Sequence, residues 1–201
     1  LYTAPIFVML MSLLFFREQL TPRKILALAL AFGGCCLVSG IGSATSALSL
    51  WGLLLGLGSG FGYALYSIFS RVSLNQGLPS ITITNYTFLF AALGGAFFTD
   101  FSAVAQAFSR YGIRLLGLLV VYCIITTVLP YLLYTAGLTY VENGSASVMA
   151  SVEPVVATVL GLLVYREAPT VSAVLGMVLV LGALALLSVP ATPAADTPHE
   201  S

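Results

Sequence analysis

Seven long apolar runs, joined by short linkers, constrain the fold of this chain more than any other feature. Each run is close to the ~20 residues that an α-helix needs to cross a bilayer. Charged residues make up only 7% of the chain, against about 25% in soluble domains. The runs are too long and continuous for barrel strands, so they predict an all-α integral membrane protein, a multi-pass helical bundle. The predicted spans are Leu1–Phe16, Ile25–Ile41, Leu48–Ser70, Ile81–Phe98, Ile113–Leu138, Ala146–Tyr165 and Val171–Val189.

The first two runs repeat in the last two with a constant offset of 149 residues. Random apolar helices rarely share proline, Arg-Glu, threonine and glycine at fixed spacing, so the match indicates a duplicated helix pair. The two copies lie five spans apart, and because five is odd they must cross the membrane in opposite directions. This arrangement is an inverted repeat, which many secondary transporters use for alternating access. The offset pairs Pro5 with Pro154, Arg17-Glu18 with Arg166-Glu167, Thr21 with Thr170 and Gly33 with Gly182.

The linkers carry capping and turn residues. Thr21 and Thr170 each precede a run and are predicted N-caps. The Arg-Glu pairs that end the first and sixth runs are interpreted as interfacial anchors that lock the turns, with a gate contact as the alternative. Asn143-Gly144-Ser145 predicts a tight turn into the sixth span. Residues 101–112 predict a short interfacial segment, and the Pro-, Ala- and Thr-rich residues 190–201 predict a disordered tail.

Several of these segments together resemble the EamA-type drug/metabolite transporter superfamily. They are APIFVMLMSLLFFREQLT followed by LALALAFGGCCLVSG, then GSGFGYALYSIFSR, and VEPVVATVLGLLVYREAPT. The resemblance implies two tandem repeats of five helices, with residues 1–41 as the last two helices of the first repeat and residues 48–189 as the second. The chain begins inside an apolar run without an initiator Met, so we expect an N-terminally truncated piece of about seven spans from a ten-helix protein. The family's cargo includes amino acids, metabolites and amphiphilic drugs.

Glu153 is the only charged side chain well inside a span. Seven residues after Ala146, it lies about 10 Å into a hydrocarbon core about 30 Å thick. A charge at the bilayer centre costs roughly 2.5–3.5 kcal/mol on the insertion scale, so such a residue normally faces protein or a water-filled cavity. The functional interpretation is a proton-exchanging carboxylate or a contact for a substrate amine. The structural alternative is a neutral carboxylic acid that hydrogen-bonds a neighbouring helix.

Two prolines are predicted to break helices at depth, where transporters commonly place their binding sites. Pro130 and Pro154 each remove one backbone hydrogen bond. An ordinary kink, healed by Ser and Thr hydroxyls, is the alternative interpretation of each. Polar side chains near the breaks and on the third and fourth spans are predicted to line the pathway with Glu153. They are Tyr63, Ser67, Asn85, Thr127 and Tyr134.

Other classes of protein are disfavoured by what the chain lacks. The net charge is zero and no basic block exists, so no nucleic-acid partner is expected. The single histidine, His199, lies in the tail, so we expect neither an enzyme nor a metal site, and no cofactor is predicted. Cys35, Cys36 and Cys123 fall inside apolar runs and are interpreted as packing residues. The absence of Lys or Arg deep in any span disfavours the nucleotide-sugar and sugar-phosphate exchangers, whose anionic cargo needs buried cations.

These observations predict a secondary active transporter that exports a small organic solute by alternating access, coupled to protons. The partners expected are the lipid bilayer and the small-molecule substrate, with a homodimer left open. The location expected is the cell membrane, as a multi-pass protein of the bacterial inner membrane. The alternative is a non-transporting seven-helix membrane receptor or scaffold.

Overall fold

A computed structural model describes residues 2–39 and 50–188 of the chain, and all of the regular structure in these ranges is helical. The predicted tail at 190–201, with His199, and the linker at 40–49 lie outside the described residues. Two of the helical segments continue through a single π-helical turn, at Ile124–Val128 and at Gly161–Tyr165. The α-helices are α1 (Ala4–Phe16), α2 (Pro22–Val38), α3 (Leu50–Asn75), α4 (Ser80–Ala96), α5 (Phe101–Cys123), α6 (Leu129–Gly137), α7 (Asn143–Ala150), α8 (Glu153–Leu160) and α9 (Val171–Ser188).

The all-α, multi-pass membrane bundle is confirmed, but the seven predicted spans differ in length. Four helical segments of the described chain are long and apolar enough to cross a membrane: Leu50–Asn75, Phe101–Gly137, Asn143–Tyr165 and Val171–Ser188. The apolar helix α1 has only 13 residues, or about 20 Å at 1.5 Å per residue. Helices α2 and α4 have 17 residues each.

Residues 101–112 are helical, as the sequence predicts for an interfacial segment, but they join the fifth span directly. Gly112 has φ 63° and ψ −157°, a conformation outside the helical region, so it forms a sharp kink between the two parts. Glycine is the residue that adopts such a backbone at low cost. The Asp100 carboxylate starts this helix by accepting hydrogen bonds from the backbone N–H groups of Ser102 and Ala103.

Both predicted threonine N-caps are confirmed. The Thr21 hydroxyl accepts a hydrogen bond from the backbone N–H of Lys24 at 3.3 Å, and the Thr170 hydroxyl accepts one from Ala173 at 3.2 Å. These bonds satisfy N–H groups that have no partner within the helix. The repeated threonine therefore starts the helix that follows it in each copy.

The repeated Arg-Glu pair also has the same conformation in both copies. Arg17 and Arg166 are the only non-glycine residues of the described chain with positive φ, at 53° and 58°. A left-handed residue is a common way to end a helix. The glutamate that follows donates its backbone N–H to a carbonyl in the preceding turn, with Glu18 bonded to Ser12 at 3.4 Å and Glu167 to Gly161 at 3.3 Å. The pair therefore locks the helix exit, as the sequence predicts.

Helices α2 and α9, which the sequence repeat relates to each other, form the most extensive helix contact and run antiparallel. Arg23 near the start of α2 hydrogen-bonds the Leu186 carbonyl near the end of α9, whereas Gly34 lies against Gly176 towards the other ends. A Cβ atom on Gly34 would lie only 2.6 Å from the Gly176 carbonyl oxygen. The buried small residues Ala27, Ala31 and Ala183 share the core around this crossing. The offset of 149 relates Ala27 to Gly176 and Gly34 to Ala183, so the helices meet through equivalent positions of the two copies.

Helix α1 packs against α3 and α7, and one glycine of α3 allows close approach. A Cβ on Gly60 would lie 2.5 Å from the Thr3 hydroxyl and 3.2 Å from the Ala4 nitrogen. By contrast, Gly56, Gly58 and Gly62 have no described neighbour within 4 Å of such an atom. Of these four glycines, only Gly60 lies at a close contact between helices.

The predicted turn at Asn143-Gly144-Ser145 is wrong. These residues form the first turn of α7, and the chain reverses before them, with Glu142 at the N-cap. The physical reason is a long-range contact: the Glu18 carboxylate accepts the backbone N–H of Asn143 at 3.0 Å and of Gly144 at 3.3 Å. A carboxylate from the linker between α1 and α2 thus stabilises helical backbone at residues that favour turns on their own.

Candidate functional site

Two helix breaks shape the centre of the bundle. The π-helical turn Ile124–Val128 leads directly into α6, whose second residue is Pro130. Because proline has no N–H and its ring crowds the preceding turn, the helix widens there instead of continuing regularly. The second break separates α7 from α8 at Ser151 and Val152, and Pro154 is the second residue of α8. Glu153 is therefore the first residue of a new helix.

A cavity of about 390 Å³ lies beside these breaks. Helices α3 and α6 contribute paired tyrosines, and the α7–α8 break contributes a carboxylate. A smaller cavity of about 60 Å³ adjoins it and shares Tyr63, Ala150 and Glu153. The larger cavity is lined by Tyr63, Tyr66, Thr126, Pro130, Tyr131, Tyr134, Ala150 and Glu153.

Four tyrosine rings form a continuous cluster along the larger cavity. Ring centroids are 4.9 Å apart for Tyr66 and Tyr131, 5.5 Å for Tyr63 and Tyr134, and 6.2 Å for Tyr63 and Tyr66. The rings in these pairs are inclined by 54° to 57°, so they are tilted rather than stacked face to face. Such aromatic pairs stabilise each other by about 0.5–1.5 kcal/mol beyond area burial.

Glu153 has no hydrogen bond or ion pair to any residue that the structure describes, and its side chain is exposed at the cavity edge. Three titratable side chains interact with it electrostatically: Tyr2 before α1, Cys35 on α2 and Tyr131 on α6. All three are uncharged at neutral pH in their ordinary state. The negative charge of an ionised Glu153 is therefore not balanced by any of these neighbours.

A buried polar network lies between the tyrosine cluster and one end of the bundle. Its centre is Asn143, whose side chain is 0% exposed. The Asn143 amide donates to the Ser67 carbonyl at 3.1 Å and accepts from the Arg71 Nε at 2.8 Å. Ser67 in turn shares a 2.9 Å hydrogen bond between its hydroxyl and that of Tyr134. With the Glu18 carboxylate on the backbone of α7, this network ties α3, α6 and α7 to the linker that follows α1.

Six of the eight predicted site residues lie at the larger cavity or at the helix break beside it. Tyr63, Tyr134, Pro130 and Glu153 line the larger cavity. Ser67 is buried behind the tyrosines and holds the Tyr134 hydroxyl. Pro154 is buried in the first turn of α8 and serves the helix break rather than the cavity wall.

Two predicted lining residues lie elsewhere. Asn85 is exposed on α4 and does not line the described cavities, because Ile83 and Thr84 form the buried face of that helix. Thr127 is half-buried in the π-helical turn, and its neighbour Thr126 lines the cavity in its place. The wider π turn changes the rotation of successive side chains, which a regular helical period does not predict.

Several residues of the site were not among those predicted. Tyr66 and Tyr131 complete the tyrosine cluster, and the signal for them is the shared spacing Tyr63-Tyr66 and Tyr131-Tyr134, which places two rings on one helix face. Asn143 and Glu18 have no such local signal, since they meet only in the folded chain. Within residues 2–39 and 50–188, no group of three or more His, Cys, Asp or Glu side chains could hold a metal ion.

Comparison with known proteins agrees with this architecture. The model of the EamA-like transporter family matches residues 1–40 and 50–189. The chain is 29% identical to the "Uncharacterized transporter YxxF" of Bacillus subtilis over 192 residues, covering 92% of this chain and 58% of that protein. It is 28% identical to an "Uncharacterized transporter" of Archaeoglobus fulgidus, covering 90% of this chain and 62% of that protein. No solved structure gives a significant match.

The chain thus spans about three fifths of the length of these relatives. The matched family is a transporter family, and these relatives are themselves named as transporters. The family match extends over both repeated segments and over all four helical segments long enough to cross a membrane. The chain is a multi-pass membrane protein, and it belongs to the EamA-like transporter family.

Proposed function

We propose that the protein is a secondary active transporter that exports small organic solutes, such as metabolites, amino acids or amphiphilic drugs, in exchange for protons. The observation that carries this proposal is the cavity between α3, α6 and α8 with the Glu153 carboxylate at its edge. Carboxylates at membrane depth mark substrate and proton paths, and interrupted helices commonly form transporter binding sites. Both features meet at this cavity.

Glu153 is the residue proposed to take up and release the proton. The titratable groups that face it are Tyr2, Cys35 and Tyr131, and none of them supplies a positive charge. Protonation of Glu153 therefore removes an unbalanced negative charge from the cavity, and deprotonation restores it. A change of charge at the binding site is what couples a proton to the binding of a solute.

Alternating access requires that one end of the pathway can close. The network around Asn143 supports such a closed end, since Ser67 and Arg71 lie one and two turns beyond Tyr63 on α3. Arg71 is eight residues past Tyr63, or about 12 Å along the helix. The antiparallel contact of α2 with α9 supports an inverted repeat, in which residues 1–41 and 48–189 belong to two oppositely oriented five-helix units.

The closed end is proposed to face the cytoplasm. Arg17, Arg23, Lys24 and Arg71 lie at this end, whereas Arg110, Arg114 and Arg166 belong to the other. Basic residues in short loops favour the cytoplasmic side. The protein is accordingly placed in the cell membrane, as in a bacterial inner membrane, with the described conformation closed towards the cytoplasm.

The test is solute flux in proteoliposomes that contain the full-length protein. A pH gradient is imposed, and radiolabelled amino acids and amphiphilic amines are screened for uptake or release. We expect gradient-driven flux of at least one solute, and we expect Glu153→Gln to abolish the dependence on pH because glutamine cannot exchange a proton.

The matched control is Glu167→Gln, which removes the carboxylate at the end of the same segment but outside the larger cavity. It should keep the pH dependence of the unchanged protein. If solute flux in the Glu153→Gln variant still depended on pH, Glu153 would not be the proton-coupling residue. Solute binding without any flux would favour a receptor instead of a transporter.

A further inference from the structure

In the aromatic wall of the larger cavity, the hydroxyls of two of the four tyrosines are bound to protein partners. The Tyr66 hydroxyl hydrogen-bonds the buried Thr135 hydroxyl, and the Tyr134 hydroxyl bonds Ser67 at 2.9 Å. These two tyrosines therefore direct their hydroxyls to protein partners and present their rings to the cavity. A solute in the cavity therefore meets the rings of these two tyrosines rather than their hydroxyls.

The rings come from two helices and are close enough to act together. Tyr131 lies between its neighbours, with centroid distances of 4.9 Å to Tyr66 and 6.4 Å to Tyr63. On its other side Tyr131 meets Phe88 of α4 at 5.4 Å, which supports its position. A cation within about 6 Å of a ring centroid is attracted by the negative π face. Several rings around one space add to this attraction.

The charge of the cavity wall has one sign. Among the residues that line the larger cavity, Glu153 is the only one with a carboxyl group, and neither Lys nor Arg is present. An anionic solute would be repelled by Glu153 and would find no basic partner in this wall. A neutral solute would leave the ionised carboxylate without a counter-charge.

We propose that this cavity, formed by the four tyrosines and Glu153, binds organic cations that carry a quaternary or protonated amine. The cationic head lies against the tyrosine rings with the Glu153 carboxylate as its counter-ion, and the apolar part of the solute fills the remaining volume. This inference rests on the proposed transport function and narrows its substrate class. Because the proton and the cation need the same carboxylate, they compete for it.

The test compares two molecules of the same shape and different charge. Phenethyltrimethylammonium and its neutral tert-butyl isostere are measured for binding to the full-length protein in lipid nanodiscs by equilibrium dialysis, with empty nanodiscs subtracted. We expect the cation to bind at least about tenfold more tightly than the isostere. The tyrosine π faces and the Glu153 carboxylate attract a positive charge, and the neutral isostere has none. The Glu153→Gln variant should lose this preference and leave isostere binding unchanged.

Ring variants separate the aromatic contribution from the packing. Tyr131→Leu removes the π face and should weaken cation binding by about three- to tenfold, whereas Tyr131→Phe keeps the ring and should stay within about twofold. Tyr122→Leu, at an exposed tyrosine of α5 outside the cavity, is the matched control and should change nothing. Size-exclusion profiles of all variants verify that each one is folded.

The outcomes distinguish this inference from the proposed function. Equal binding of cation and isostere, or equal loss in Tyr131→Leu and Tyr131→Phe, would overturn the cation site. If neutral or zwitterionic solutes were nevertheless driven by the pH gradient, the transporter proposal would stand and only its substrate class would change. Absence of binding and of gradient-driven flux for every solute would overturn both.

Discussion

Two asparagines show how strongly the role of a polar residue depends on its surroundings. Asn143 is fully buried and bonds Ser67, Arg71 and, through its backbone, Glu18. Asn85 is exposed on α4. Both have the same amide side chain, but only Asn143 holds separate helices together. The stability of the bundle should therefore respond to one and not to the other.

Asn143→Ala should lower the free energy of unfolding by about 2–3 kcal/mol, because it removes the buried hydrogen bonds of Asn143 with the Arg71 Nε and the Ser67 carbonyl. The measurement is the unfolding midpoint in mixed micelles of increasing SDS fraction. Asn85→Ala is the matched control and should stay within about 0.5 kcal/mol of the unchanged protein. Equal effects of the two substitutions would contradict the central position of Asn143 in the network.

The Asp100 carboxylate caps the start of α5, outside the membrane spans, and the stability of this cap depends on pH. The Ser102 hydroxyl, followed by the backbone N–H groups of Ala103 and Ser102, lowers the pKa of its carboxyl below the ordinary value of 3.8. A lowered pKa in the folded state means that the cap contributes stability above pH 3.8 and loses it as the pH falls below that value. The first turn of α5 should therefore fray only in acid.

The measurement is amide hydrogen exchange at Ser102 and Ala103 as a function of pH, corrected for the intrinsic exchange rate. We expect protection to fall in the acid range, and to become independent of pH in Asp100→Asn, whose side chain caps without titrating. Acid-induced loss of protection that persists in Asp100→Asn would assign the effect to another group.

At the scale of elements, the antiparallel contact of α2 and α9 depends on residues without side chains. Gly33 and Gly34 are neighbours in the sequence, but only Gly34 faces the partner helix. A Cβ on Gly34 would meet the Gly176 carbonyl at 2.6 Å and Val180 at 2.7 Å, whereas one on Gly33 would have no described atom within 4 Å. Backbone cannot move aside as a flexible side chain can, so the two glycines should tolerate alanine differently.

Gly34→Ala should destabilise the bundle by about 1–3 kcal/mol through overpacking. Gly33→Ala should be neutral or stabilising by up to about 1 kcal/mol, since alanine is the better helix former. Both are measured by the same SDS-induced unfolding. A Gly34→Ala variant as stable as Gly33→Ala would mean that the two helices are further apart in the membrane than the structure has them.

At the scale of the whole molecule, the repeat and the antiparallel contact of α2 and α9 predict that equivalent residues of the two copies lie on opposite sides of the membrane. Gln19 and Ala168 are related by the offset of 149, follow the two left-handed arginines and are both exposed. In the full-length protein without its native cysteines, we expect Gln19→Cys to react with a membrane-impermeant maleimide from the cytoplasmic side and Ala168→Cys from the opposite side. Labelling of both from the same side would refute the inverted repeat.

The sequence by itself determined the features that depend on short-range physics. Low charge and long apolar runs placed the chain in the membrane, because backbone polar groups in lipid must bond within their own segment. Thr21 and Thr170 started the helices that follow them, and the repeated Arg-Glu pair ended the helices that precede it, through bonds that reach only a few residues. The repeat fixed which helices are equivalent. Glu153 and the two prolines could be singled out because a charge or a missing N–H in an apolar run is conspicuous.

Only the tertiary structure decided which polar residues share a space. Tyr66 and Tyr131 join the cavity, whereas Asn85 lies outside it, because helix rotation and the π turn before Pro130 set the direction of each side chain. Asn143 lies in a helix rather than a turn because Glu18, 125 residues away in the chain, binds its backbone. Such contacts depend on how helices pack against each other. No local pattern encodes them, since their partners are neighbours only after folding.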